Sequence, residues 1–272
     1  MNYTIHEMAR LLGVAPHTLR YYEKIGIIRP WTDKTNGYRY YSVVDTRRFN
    51  LCRALRAAGF SLEDCRVLLS DPQGAESAAL LQKQAEELSK QAILAQLTAR
   101  QLRHIQEVFG RVEENVGQIW QEHLPDAWRL TIAEGETPLK DPQKEQEKQQ
   151  WLEYLPIVRW VSRIPHKTFC RYGQGRVEYA PGLMISAEDA GALSIPQTPQ
   201  VEFVPGGEYA CTIWRQVGRG PFDWDSLREP LAWLRQQKIS AFGEGYSTIL
   251  ASRVNEAGRV ENYHFLGVRI LE

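Results

Sequence analysis

The chain has 272 residues, 43% hydrophobic and 24% charged, with 33 basic and 33 acidic side chains summing to zero. That length suits about two domains, each able to bury a core. The four cysteines (Cys52, Cys65, Cys170, Cys211) are far apart and form no Cys-x-x-Cys pair, which argues against structural zinc and a disulfide framework.

No apolar run approaches a membrane span, and Met1–Thr4 lacks a secretory pattern, so a cytoplasmic protein with no membrane partner is expected. Charge is unevenly spread. Residues 1–56 hold ten Lys or Arg against four acids, a balance of +6, and the remainder is −6. A basic head on an acidic remainder is the pattern expected if the head alone meets a polyanion; a solvated basic face would look the same.

In chain order, Ile5, Met8, Ala9, Leu11 and Leu12 recur at helical spacing, and Gly13-Val14-Ala15-Pro16 breaks the pattern. Leu19, Tyr22 and Ile25 then mark a second helix. Two short helices joined by a Gly-containing turn predict a helix-turn-helix, with a two-helix corner as the plainer alternative. Arg20 and Tyr21 lie off the buried face, where a cation and a phenol suit phosphate and base-edge contacts; His17 and Thr18 stand at the helix start.

Pro30 stops regular structure. Asn36-Gly37 predicts a tight hairpin leading into a strand Tyr38–Tyr41, whose Tyr38, Arg39 and Tyr40 can follow a phosphate backbone or simply form cross-strand pairs. Ser42 with Asp45 opens a third helix like a capping box, and Ser61 caps a fourth. Residues 77–112 hold no Pro, and no Gly before Gly110. Leu81, Ala85, Leu88, Ala92, Ala95, Ala99 and Leu102 form a heptad seam, which predicts a dimeric coiled coil over a lone helix packed on its own domain.

Leu124-Pro125 closes that region, and Ala127–Ala133 reads as a strand. Residues 134–150 read as a polar surface helix or linker, and Trp151–Val161 as an aromatic cluster. From Phe169 the texture is β: strands over 176–179, 183–186, 201–204, 209–217, 246–254 and 261–271 flank an amphipathic helix over 226–237. This is an α+β domain on a curved antiparallel sheet.

The run Leu19-Arg20-Tyr21-Tyr22-Glu23-Lys24-Ile25-Gly26-Ile27-Ile28, then Pro30, Gly37-Tyr38-Arg39-Tyr40-Tyr41-Ser42, Asp45, Leu55-Arg56 and Gly59-Phe60-Ser61-Leu62, resembles the MerR family of bacterial transcription regulators. Gly207–Cys211, helix 226–237, Tyr246 and the last strand resemble, more loosely, the GyrI-like effector domain of multidrug-sensing members. The resemblance implies three parts: a winged helix-turn-helix over 1–75, an antiparallel coiled-coil dimerisation helix over 76–120, and a GyrI-like domain over 121–272. It implies a homodimer on double-stranded promoter DNA with RNA polymerase as partner. Effector binding would let the dimer bend and untwist an overlong promoter spacer.

His17, Thr18, Arg20, Tyr21, Tyr38, Arg39, Tyr40 and Ser61 are the expected DNA contacts. Tyr172, Trp214, Tyr246, Ser247 and Tyr263 are the expected lining of a pocket for a bulky lipophilic effector. Multidrug sensors hold a cation against a buried Glu on the strand matching 246–254. Here that stretch carries no carboxylate, and Ser247 stands in its place. Glu178, Glu202 or aromatic faces are the remaining ways to meet a cation. No catalytic residue, metal ligand or cofactor is expected. A GyrI-like hydrolase or drug-sequestering domain on a DNA-binding head is the alternative.

Overall fold

The computed structural model describes residues 2–71, 74–171, 177–217, 224–238 and 242–271. They divide into two compact units, Met1–Gln91 and Ala92–Glu272.

The first unit runs β1 (Asn2–Tyr3), α1 (Ile5–Leu12), α2 (Pro16–Lys24), β2 (Trp31–Thr32), β3 (Arg39–Ser42), α3 (Val43–Ala57), α4 (Leu62–Leu68) and the start of α5 (Ala75–Arg111). Its helix ends follow from local chemistry. Thr4 and Glu7 form a capping box on α1, Ser42 and Asp45 one on α3, and Ser61 and Asp64 one on α4. Gly13, at φ +66°, ends α1 in the left-handed region that other residues resist, and Pro16 starts α2 where no amide partner is needed. Met8, Leu12, Leu19, Ile27, Ile28, Tyr41, Phe49, Cys52, Phe60 and Cys65 form the core. Burial pushes the Cys52 thiol up to about 12, as suits a small packing residue.

The Asn36-Gly37 turn is wider than the sequence predicts. Asp33 accepts from Thr35 and Gly37, Tyr38 sits in the loop, and the strand begins only at Arg39. The pairs Trp31↔Tyr40 and Thr32↔Arg39 make the wing, and β1 adds a third strand against β3.

The second unit takes α5 from Ala92 onward. The helix stops at Arg111, and part of the stretch assigned to the coil is instead β4 (Ile119–Leu124). Then follow β5 (Ala127–Thr131), β6 (Ala133–Glu134), β7 (Thr137–Pro138), α6 (Pro142–Leu152), β8 (Arg159–Ile164), α7 (His166–Cys170), β9 (Ala180–Ser186), α8 (Ala187–Ala192), β10 (Glu202–Val204), β11 (Gly207–Val217), α9 (Asp225–Gln236), β12 (Phe242–Val254) and β13 (Val260–Ile270). The expected strand over 176–179 is absent at 177–179, and residue 176 lies outside the described residues.

Eight strands form one antiparallel sheet in the order β10-β5-β9-β8-β12-β13-β11-β4. Its two four-stranded halves meet at β8 and β12 over only three pairs, Gly245↔Ile164, Tyr246↔Arg163 and Ser247↔Ser162. One face of the second half is covered by Leu227, Leu231 and Leu234 of α9. In the first half, Trp151 packs with Leu130, Val158, Leu183 and Ile185.

Candidate DNA-binding face and effector cavity

Arg20 and Tyr21 project from α2 on the side that Leu19 does not bury. Tyr21 is 50% exposed, and Arg20 is exposed with no ion pair among the described residues. Arg39 is held from the wing by Glu23 of α2 at 3.2 Å, and Glu23 also accepts from the Tyr41 hydroxyl at 3.3 Å. Burial and the Glu23 carboxylate push Tyr41 up to about 12, so it stays a donor. Tyr40 stacks on Trp31 with centroids 5.3 Å apart, and Tyr38 is bare at the loop tip. His17 is exposed and Thr18 half-buried at the start of α2, while Ser61 is exposed with its hydroxyl used as a cap.

The basic balance of the head is not all available to a polyanion. Arg48 donates to the carbonyls of Ile27 and Leu69, Arg53 to Leu12 and Arg56 to Phe60, so these three cations serve the fold.

On α5 the seam is bare. Leu81, Leu88 and Leu102 are 47%, 44% and 56% exposed, although Leu80 packs on the head core and Leu94 and Leu97 on the second unit's core. At about 100° per residue, the seam positions Ala95, Ala99 and Leu102 point away from His104, Val108 and Arg111.

Those latter residues, with Glu107, face a cavity of about 470 Å³ in the second unit. One wall is Arg159, Val161, Met184 and Val204 from the first half of the sheet. The other is Trp120, Glu122, Tyr209, Ile213, Tyr246 and Phe265 from the second. A second cavity of about 490 Å³ shares Arg159, Val161, Ser247, Thr248 and Leu250 and adds Trp160, Ser162 and Ile249. Both arise where β8 and β12 part company.

Beside the cavity runs an ionic chain. Arg129, fully buried, is bound by Glu202, by Thr131 at 2.5 Å and by the Ala180 carbonyl. Burial makes its charge costly, and Glu202 opposes that cost. Arg163 lies 3.4 Å from both Glu202 and Glu244, and the Tyr246 hydroxyl donates to Glu244 at 3.0 Å. Burial and Glu244 raise the pKa of Tyr246. A Cβ on Gly182 would fall 2.9 Å from the Arg129 guanidinium and 2.5 Å from the Leu130 carbonyl oxygen, so this strand needs glycine there.

Of the expected lining, Tyr246 and Ser247 border the cavity; Ser247 is buried, and its hydroxyl has no hydrogen-bond partner among the described residues. Trp214 does not. It lies on the opposite face, stacked 4.2 Å from His264 and packed with α9. Tyr263 shares the cavity's face but is buried among Val112, Ile213 and Ala251, beyond either cavity. Tyr172 falls outside the described residues.

The carboxylate expectations also change. The strand carrying Tyr246 begins at Phe242 and so includes Glu244. Glu178 is exposed and paired with Lys167, and Glu202 is spent on Arg129 and Arg163. Arg159, Trp120, Tyr209 and Phe265 were not among the expected residues. A lone cation inside the apolar run Ile157-Val158-Arg159-Trp160-Val161 was the readable sign of the first.

Residues 3–71 match the model of the MerR HTH family regulatory protein. The regulator SkgA of Caulobacter vibrioides is 40% identical over 90 residues, 33% of this chain but 35% of SkgA, so about a third of that relative is spanned. ZntR of Escherichia coli is 36% identical over 105 residues, 36% of this chain and 73% of ZntR. An EcmrR–DNA complex solved by cryo-EM aligns over 99% of this chain and 100% of its own, at 15% identity and TM-score 0.38.

Proposed function

Because the chain belongs to the MerR family of helix-turn-helix regulatory proteins, we propose that it is a homodimeric, ligand-responsive transcription activator. It binds double-stranded promoter DNA through α2 and the wing, beside RNA polymerase. A bulky lipophilic effector occupies the cavity of the second unit and favours the DNA-distorting state of the dimer. The observation that carries this reading is Arg20 and Tyr21 standing bare on α2 while Glu23 of the same helix holds Arg39 of the wing. Together they offer three donors suited to phosphate and base edges.

The bare seam of α5 supports the dimer, since an apolar stripe on a helix already packed on its other side needs a second surface. Cavity residues and seam residues occupy opposite faces of one helical segment, so a ligand that shifts His104, Val108 and Arg111 also shifts Ala99 and Leu102.

To test DNA binding, an operator is selected from a random duplex library with the full chain. Arg20→Ala is expected to weaken binding about tenfold or more, and wild-type affinity to fall steeply with salt. Undiminished affinity of Arg20→Ala at moderate salt would count against the assignment.

A further inference from the structure

Resting on the effector reading above, we infer that the cavity takes a lipophilic anion, an aromatic body carrying a carboxylate, sulfonate or phosphate, whose acidic group pairs with Arg159. The inference comes from following each charge around the cavity to its partner. Glu202 and Glu244 are held by Arg129 and Arg163, and Glu244 also by the Tyr246 hydroxyl. Glu122 is exposed and accepts from the Trp120 indole at 2.9 Å. Glu107 and Arg111 face the cavity from α5, both exposed and in no ion pair among the described residues, at the four-residue spacing where opposite charges on a helix partly offset each other.

Arg159 is the unpaired cation on the sheet side of the cavity. Its side chain borders both cavities and has no hydrogen bond or ion pair among the described residues. Asp189, the carboxylate whose field reaches it, is already bound by Arg100. Arg159 is open to solvent yet ringed by protein, so its charged form is disfavoured by lost hydration. A guanidinium so placed gains from an anion with two parallel acceptors. Trp120, Tyr209, Tyr246 and Phe265 then serve the apolar body.

The test is calorimetric titration of the full chain with biphenyl-4-sulfonate and 4-biphenylyltrimethylammonium, ions alike in shape and opposite in charge. The sulfonate is expected to bind at least about tenfold tighter. Arg159→Gln should abolish that preference, and Arg159→Lys should retain part of it. Tighter binding of the ammonium overturns the anion assignment and leaves the effector cavity standing. A sulfonate preference that survives in Arg159→Gln also overturns it. Binding of neither ion sinks the anion assignment and the cavity reading together.

Discussion

Asp45 ties the wing of the head to α3, and its removal should be costly. One carboxylate oxygen accepts from the Ser42 amide at 2.8 Å and the Ser42 hydroxyl at 2.7 Å; the other accepts from the Arg29 amide at 2.8 Å. The side chain is one of the few buried acids among the described residues, in a residue 5% exposed. Asp45→Ala strands two backbone amides and dismantles the cap. Bonds to a charged acceptor contribute about 1.5–3 kcal/mol each, and a cap about 1 kcal/mol. With overlap, the loss is about 3–5 kcal/mol, a large share of the roughly 5–15 kcal/mol that holds a domain. At a urea slope of about 2 kcal/mol/M the midpoint falls by about 2 M. Hydrogen exchange read on peptides covering residues 25–50, at rising urea, isolates the head from the second unit. Asp45→Asn, which keeps one acceptor oxygen, should lose about half as much. A midpoint shift below about 0.5 M, or equal loss of protection in the second unit, would refute the reasoning.

The remaining predictions test other parts of the chain. Burial pushes His264 down to about 4 from its ordinary 6.5, so the folded state binds fewer protons than the unfolded one between those values. Stability from this group is complete above pH 6.5 and declines as pH falls to 4, by about 3 kcal/mol in all; His264→Phe should flatten the acid limb of the second unit's unfolding curve, and an unchanged limb would contradict it. Leu88→Glu should dissociate the dimer in sedimentation at micromolar protein with far-ultraviolet dichroism intact; a persistent dimer would remove the seam from the interface. Among the thiols, Cys170 alone is exposed, and burial pushes Cys52 and Cys211 up to about 12; one fast-reacting thiol per native chain is expected, and a second would show that a buried cysteine is accessible.

The head was legible because its signals are local. Capping boxes at Ser42 and Ser61, the Gly13 break and the apolar spacing each lie within a few residues of what they determine. The turn at Asn36-Gly37 misled because Asp33 captures the amide of Thr35 and widens the loop. The sheet was readable strand by strand but not face by face. Alternation along β11 puts Tyr209 and Trp214 on opposite faces; which side α9 would cover is a long-range fact, and it places Trp214 in the core and Tyr209 at the cavity. β4 and β8 were missed because Trp120-Gln121-Glu122-His123 carries little apolar alternation and the Trp151–Val161 run reads as one cluster. Only the pairing of β4 with β11 and of β8 with β9 makes them strands.

The same topology explains why a cavity exists here at all. A continuous eight-stranded sheet would close over its own face, but β8 and β12 share three pairs and then diverge, with the Thr248 hydroxyl reaching the Trp160 carbonyl at 2.7 Å as a last tie. So short a join leaves space between the halves and few hydrogen bonds to resist their separation. Arg163 answers that weakness by spanning the join, from Glu202 in one half to Glu244 in the other, opposite Tyr246 in register. A partly buried ionic chain of this kind contributes little net stability, because desolvation offsets attraction. What it does is fix the relative register of the two halves, since a slip would leave Arg129, Arg163 or Glu244 charged and unpaired beside an apolar wall. The charges beside the cavity thus pair with one another, and Arg159, on the same strand as Arg163, is the cation on the sheet that this arrangement leaves for a ligand.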